Sequence, residues 1–306
     1  VTNADLLAHF NRPTTRHRFT ARTVTVAAVT QVENFIRVSL ASPELHDWAS
    51  TGPSDHARVF FPDPDTGVLN APAPAGHDTD GIVRPDLPMH GRDFTPMNMR
   101  ELPETGERAF DLDILQHANA GPASRWAAGA RPGDQLVVVG PRGSREVATD
   151  APRVLCFVDG TALPAAARWV SEMPASADVR VIVDADEAAA ETHDAGANTH
   201  VDADSVAGSV TDAAESARRY LRAQCGRDVP VTAATDGFVA AATAAGIDAD
   251  TYVFVAGEAT SLIPLRRLLR HELGLPREQY AVTGYWRRGD TAFDHHAPID
   301  PTDPDE

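Results

Sequence analysis

Arg92, Phe94 and Thr95, in the stretch RDFT, set a cation, an aromatic ring and a hydroxyl within four consecutive residues. A planar ring system carrying a pyrophosphate needs a face to stack on, a hydrogen-bond partner at its edge and a cation for its phosphates. In a strand, Arg92 and Phe94 share one face and Thr95 projects from the other, though the Thr95 backbone can still address a ring edge. The same residues also suit an ordinary edge strand. HANAGPASRWA, residues 117–127, adds a helix start. Gly121 breaks the chain and Pro122 stands where a first helical turn would begin, a position at which its missing amide hydrogen loses nothing. The free N–H groups that follow favour a phosphate, and Ser124 adds a hydroxyl. A plain strand-to-helix turn has the same spacing.

VDGTALPAAARW (158–169) and VAGEATSL (255–262) each read as strand, glycine turn and helix. The first offers a helix N-terminus to a second pyrophosphate, but it is not a GxGxxG sequence. Either can equally be a structural connection. In VIVDADEAA, Asp184, Asp186 and Glu187 follow a strand, where carboxylates accept from a ribose 2′-hydroxyl and repel a 2′-phosphate. They can also simply belong to an acidic surface.

The elements that must position these residues change character near Ala151. Before it, RFTARTVTVAAVT, FIRVSLAS, HARVFF, RDFT, RAFDLDILQH and DQLVVVG read as strands, interrupted by one short helix at 121–130. This half predicts an antiparallel barrel. Residues 62–91, rich in proline, glycine and aspartate, read as a long surface loop. After Ala151, apolar strand-like runs such as RVLCFVDG, DVRVIVDAD and DTYVFVAGEA alternate with helical stretches, which predicts a parallel sheet of βα units. Such sheets bind ligands at the carboxyl ends of their strands, here after Val158, Val183 and Ala256. The expected domains are 1–150, 151–290 and a Pro/Asp-rich disordered tail at 291–306.

Composition narrows the function. The 306 residues carry a net charge of −17, and all 27 basic residues are arginine, a balance that repels nucleic acid and anionic membranes. No apolar run approaches the roughly 18 residues that span a bilayer, and the start lacks a signal-peptide pattern, so a cytoplasmic protein is expected. Cys156 and Cys225 form neither a disulfide framework nor a CxxC site, and the adjacent His295 and His296 read as part of a solvated tail; no bound metal is expected.

Taken in order, R-x-aromatic-T, H-x-x-x-G-P-A-S-x-W-A, D-x-T-A-L-P-A, A-G-E-A and G-Y-W-R-R-G resemble the siderophore-interacting, FAD-dependent ferric reductases of the ferredoxin–NADP reductase superfamily. The resemblance covers about residues 15–290. It implies a Greek-key FAD-binding β-barrel followed by a Rossmann-like nicotinamide-nucleotide domain. It assigns Arg92, Asp93, Phe94, Thr95, His117, Gly121, Ala123 and Ser124 to FAD. Asp159, Thr161, Ala162, Leu163 and Pro164, with Gly257, Glu258, Ala259 and Trp286, fall to the nicotinamide side. Thr95 and Glu258 are the implied catalytic residues; Tyr285, Arg287 and Arg288 are candidate contacts for an anionic ferric chelate.

The implied reaction passes hydride from NADH or NADPH, with a lean to NADH, to the flavin and single electrons on to a ferric siderophore, in a protein expected to be monomeric. Three departures matter: Phe94 replaces a common tyrosine, Met97 a second arginine and Gly160 a glutamate. Losing one charge-assisted hydrogen bond costs about 1.5–3 kcal/mol, which implies a weaker hold on FAD unless the chain compensates elsewhere. A flavin reductase with a non-iron acceptor and a non-catalytic siderophore-binding protein are the alternatives.

Overall fold

Alternation of buried and exposed residues from Ala21 onward marks a sheet with one face on a core. In the computed structural model, which describes residues 8–116, 121–184, 203–290 and 293–304, the chain divides into two units. One is Pro13–Glu146; the other is Val147–Glu306 together with Val1–Arg12.

The Pro13–Glu146 unit is built on seven strands: β1 (Ala21–Val32), β2 (Phe35–Ser42), β3 (Ala57–Phe61), β4 (His90–Phe94), β5 (Met97–Glu101), β6 (Arg108–Leu115) and β7 (Gln135–Val139). They form one antiparallel sheet in the order β4-β3-β7-β1-β2-β6-β5. The two ends of that order, β4 and β5, are consecutive in the chain and joined only by Thr95 and Pro96. The sheet therefore curls back on itself as a barrel. Val24, Val38, Leu40, Phe61, Phe110 and Leu112 fill its core, with the Trp48 ring stacked 4.3 Å from Phe110. Helix α1 (Pro122–Gly129) contributes Ala123 and Ala127 to the same core.

Residues 62–91 are not a bare loop. Ala73–Pro74 pairs with Ile82–Val83, and Leu69, Ala71, Ile82 and Met89 pack on Ala21, Phe60 and Val139. Apolar residues spaced too irregularly to show a period still cover this second face of the barrel.

The other unit is a five-stranded parallel sheet: β8 (Arg153–Val158), β9 (Asp178–Asp184), β10 (Val231–Ala234), β11 (Thr251–Glu258) and β12 (Tyr280–Trp286). Its order is β10-β9-β8-β11-β12. Central β8 and β11 are buried on both faces, which is why their sequences are unbroken apolar runs. Helices α2 (Leu163–Glu172) and α3 (Ala203–Cys225) share one face, where the Cys225 thiol donates to the Ala167 carbonyl. Helices α4 (Gly237–Ala245) and α5 (Ile263–Arg267) pack on the other with Leu155, Phe157, Val253 and Val255. Strand β10 and helix α4 were not legible: four residues give no period, and GFVAAATAA is apolar all round. No helix among the described residues is long and apolar enough to cross a membrane.

Two segments depart from the expected boundaries. Residues 8–12 pack with the second unit, not the first: Phe10 is 2% exposed against Tyr252, and the Arg12 guanidinium lies 4.8 Å over Trp169 while donating to the Tyr252 hydroxyl at 2.8 Å. Burying Phe10 contributes roughly 1.5–3 kcal/mol, comparable with the Arg12 cation–π contact of about 0.5–2 and its hydrogen bond of about 0.5–1.5. The two residues hold the segment together.

Residues 293–304, expected to be disordered, dock on α5 and the π-helical turn Leu268–Glu272 that follows it. Asp300 pairs with Arg267, and Asp303 with Arg266, Arg270 and His271. An acidic composition reads as solvated, but here its partners are arginines some thirty residues earlier.

Hydrogen bonds from Thr302, then the Arg267 pairing, hold the Asp300 carboxyl down at about 2. A depressed folded-state value stabilises fully above the unfolded value and is lost as pH falls through the folded one. The Tm gap between the native chain and Asp300→Asn should be constant above about pH 4 and close as pH falls through about 2. A gap that stays constant down to pH 2 would contradict the docking.

Candidate functional site

In the barrel unit the geometry is that of an anion-seeking edge. Among the described residues strand β4 pairs only with β3, which leaves its other backbone edge without a strand partner there. Arg58 stands directly opposite Asp93 and pairs with it at 2.9 Å. The Asp93 carboxylate is therefore held inside the sheet surface by a cross-strand partner. Arg92 is half-buried and, among the described residues, donates only to the Gly91 carbonyl at 2.7 Å. Burial first, then the nearby Arg58 charge, disfavours the charged form of Arg92, with Asp93 opposing. A guanidinium does not give up its proton, so this site calls for an anion.

Phe94 and Trp126 are both half-buried and flank Phe61, with ring centroids 5.9 and 5.2 Å from it in edge-on contact. Strand β4 and helix α1 thus share an aromatic trio. Gly121 caps α1 in an extended conformation with no side-chain bond, and Pro122 opens the helix. The N–H groups of Ala123 and Ser124 have no acceptor among the described residues. Ser124 is buried and its hydroxyl donates to the Leu115 carbonyl at 3.0 Å, so its side chain ties the helix start to β6 instead of standing free. Thr95 is 7% exposed and finds no side-chain partner among the described residues. His117 lies outside the described residues.

Met97, where an arginine was expected, is buried at the start of β5. Arg100 does not substitute for it. Its guanidinium is bound to Asp111 at 2.9 Å and to the Ser39 hydroxyl at 3.0 Å, in a network that includes Asn98 and a bidentate Arg37–Asp113 pair.

In the second unit one buried carboxylate joins the strand ends. Asp159 follows β8; its Oδ1 accepts from Thr161 N at 2.9 Å, Thr161 Oγ1 at 2.6 Å and Ala162 N at 3.2 Å. Its Oδ2 accepts from Glu258 N at 2.8 Å and Trp286 Nε1 at 2.9 Å. Burial pushes the carboxyl above its ordinary value, against donors that favour the anion. Four N–H groups and the Thr161 hydroxyl surround the carboxylate, a donor set that favours the ionised form. Gly257, at φ +151°, leaves the needed room: a Cβ there would fall 2.6 Å from Asp159 Oδ2.

Glu258 is similarly engaged, accepting from Ser261 N at 2.7 Å and Arg288 N at 3.0 Å. Ala259 N donates to the Trp286 carbonyl at 2.8 Å. Leu163 and Pro164 are buried at the start of α2. The sequence-selected Asp159, Thr161, Ala162, Glu258, Ala259, Trp286 and Arg288 are therefore brought together. Tyr285 is half-buried in β12, and Arg287 turns toward Phe293. Asp184 ends β9, half-buried, while Asp186 and Glu187 lie outside the described residues.

Arg58, Trp126, Ser261 and Phe293 went unselected in the sequence. Trp126 sits inside the quoted GPASRWA, four residues after Pro122, and its position one turn into the helix was the available signal. Nothing in HARVFF or in the tail marks Arg58 or Phe293.

Residues 20–145 match the sequence profile of a siderophore-interacting FAD-binding domain, and residues 151–289 that of a siderophore-interacting protein. The chain is 26% identical over 264 residues to the ferric vibriobactin reductase ViuB of Vibrio cholerae, covering 86% of this chain and 88% of that one. It is 36% identical over 149 residues to the NADPH-dependent ferric-chelate reductase of Escherichia coli, covering 48% and 55%. Among solved structures, a siderophore utilization protein from T. fusca aligns with TM-score 0.69 and 29% identity over 94% of this chain and all of that one.

Asp159→Asn would turn an NH2 toward two or three existing donors. The expected cost is roughly 2–3 kcal/mol, with a lower Tm and altered tryptophan emission as the Trp286 bond is lost. Gly257→Ala should destabilise comparably by crowding the same oxygen. Calorimetry that finds both variants as stable as the native chain would remove Asp159 from its central place.

Proposed function

Since the chain belongs to the siderophore-interacting protein family, we propose that it is a flavin-dependent reductase that uses NAD(P)H to reduce ferric siderophores or other ferric chelates to Fe(II). The observation that carries this reading is the half-buried Arg92 guanidinium, flanked by Arg58 and without an acid of its own among the described residues. A phosphate group supplies the charge it lacks.

The residues fit FAD. Arg92 and the N–H groups of Ala123 and Ser124, which meet no acceptor among the described residues, hold phosphate oxygens, the latter at the positive end of α1. Phe94 and Trp126 present apolar ring faces for the flat part of the cofactor. Thr95, just after the β4 edge that has no strand partner among the described residues, supplies the hydrogen bond to the ring edge. When bound, FAD supplies the exchange between the two-electron hydride of a nicotinamide and the one-electron chemistry of iron. The protein's part is to bind and orient.

In the second unit, the loops at Thr161–Leu163 and Gly257–Ala259 receive the nicotinamide nucleotide, and Asp159 fixes both of them. Glu258, with both oxygens bound to N–H groups, shapes the loop and holds the Arg288 turn. Arg287 and Arg288 stand as contacts for an anionic ferric chelate. The hard oxygen donors of siderophores suit Fe(III) far better than Fe(II), so reduction itself releases the metal.

The half-buried Asp184 carboxylate at the end of β9 supports NADH, since it favours a 2′-hydroxyl over a 2′-phosphate. The Escherichia coli relative is named for NADPH, so the choice is made by experiment. The need for reduced nicotinamide supports a cytoplasmic reaction.

Protein reconstituted with FAD should show a flavin absorption spectrum that bleaches anaerobically at lower NADH than NADPH. Adding a ferric siderophore with ferrozine should then restore the flavin colour and form the Fe(II)–ferrozine complex. A protein that reduces dyes but never ferric chelates would refute the iron reading, and one that cannot take up FAD would refute the reductase. Arg92→Ala should weaken FAD binding about 10- to 150-fold in a fluorescence titration.

A further inference from the structure

Arg287 occupies the turn after β12 with its Nε buried and without a hydrogen-bond partner. No acidic side chain among the described residues pairs with it. What meets it is a ring: the guanidinium carbon lies 5.0 Å from the centroid of Phe293. That ring also fills the space over Gly284, where an added Cβ would come within 3.1 Å of Phe293 Cζ and 2.8 Å of Ala259 Cβ. Phe293 therefore touches the G-Y-W-R-R-G turn at two points, and the first glycine of that turn is the residue that admits it.

Phe293 does not reach this place by chance of a loose end. Eleven residues at most separate it from Pro304, and within them Asp300 and Asp303 bind Arg267, Arg266, Arg270 and His271 at 2.6–3.3 Å. Asp300 and Arg266 are each 3% exposed, so one partner in each of the Asp300–Arg267 and Arg266–Asp303 pairs is buried. The segment from Phe293 to Asp303 is a strap fixed at its far end.

We propose that Phe293 is a positioning residue for the substrate: the anchored strap holds its ring against one face of the Arg287 guanidinium, so that the N–H fork at the edge meets an anionic ferric chelate. Arginine can do both at once, because its plane stacks while its edge donates in bidentate fashion. With no acid in place, the cation keeps its charge available to the incoming anion. This inference rests on the reading of Arg287 as a substrate contact in a ferric-chelate reductase, and it assigns the orientation of that cation to a residue outside both matched domains.

The test pairs kinetics with chemical modification. Phe293→Ala and Phe293→Leu should raise KM for the ferric chelate about two- to fivefold, the range of one cation–π contact. Both should leave kcat and the nicotinamide KM unmoved, and Phe293→Trp should restore the native KM. In an Arg287→Ala background, Phe293→Ala should add nothing. Phenylglyoxal, followed by peptide mapping, should label Arg287 faster in Phe293→Ala and in Asp303→Ala than in the native chain, with or without FAD. A leucine variant equal to the native protein, or independent effects of the two substitutions, overturns the proposal. An unchanged labelling rate overturns it at the contact itself; a chelate KM indifferent to Arg287→Ala overturns it through the substrate reading.

Discussion

A carboxylate with five donors organises the carboxyl edge of the parallel sheet. Asp159 belongs to the end of β8, yet its oxygens reach partners 99 and 127 residues further along, at Glu258 and Trp286. The anion is buried, and burying an unpaired charge is prohibitive. The strand ends are thus obliged to converge on it: the 3₁₀ turn through Gly160–Ala162 curls over Oδ1, β11 offers an amide, and β12 offers an indole. Gly257 is the concession that makes the convergence possible. The two loops proposed to receive the nicotinamide nucleotide, at Thr161–Leu163 and Gly257–Ala259, are both tied to this one group.

The barrel unit uses the opposite tactic. Where Asp159 is satisfied completely, Arg92 is left half-satisfied, beside a second arginine and a row of aromatic rings. In a chain carrying 44 acids, a cation without an acid is an arrangement that folding alone would not favour. Arg37 and Arg100 of the same unit are instead paired closely, with Asp113 and Asp111. These two committed cations contrast with the half-buried one proposed to bind.

Local patterns carried much of this fold in plain sight. RVLCFVDG and TYVFVAGE are unbroken apolar runs because both faces of β8 and β11 are covered, and the Gly-Pro pair at 121–122 marks the start of α1 to the residue. What stayed hidden depends on contacts distant in sequence. Asp159 looked like one member of a nucleotide loop, since neither Trp286 nor Glu258 announces a bond to it. Met97 could be seen as a missing arginine, but the commitment of Arg100 to Asp111 required the register of β5 against β6. The tail misled because aspartates and prolines describe a solvated segment equally well as one docked on arginines.

The Arg12 segment gives the molecule an unusual accounting of its parts. Trp169 and Tyr252, ring against ring at 5.0 Å, form a box whose lid, Arg12, precedes the barrel in the sequence. The polypeptide leaves that unit after residue 12, builds the whole barrel, and returns at residue 147. A gene fragment cut at the apparent seam would therefore deliver one half with a spare plug and the other with an open socket. Recombination that shuffles such halves as cassettes has to carry both pieces of the divided half, so the two are inherited together.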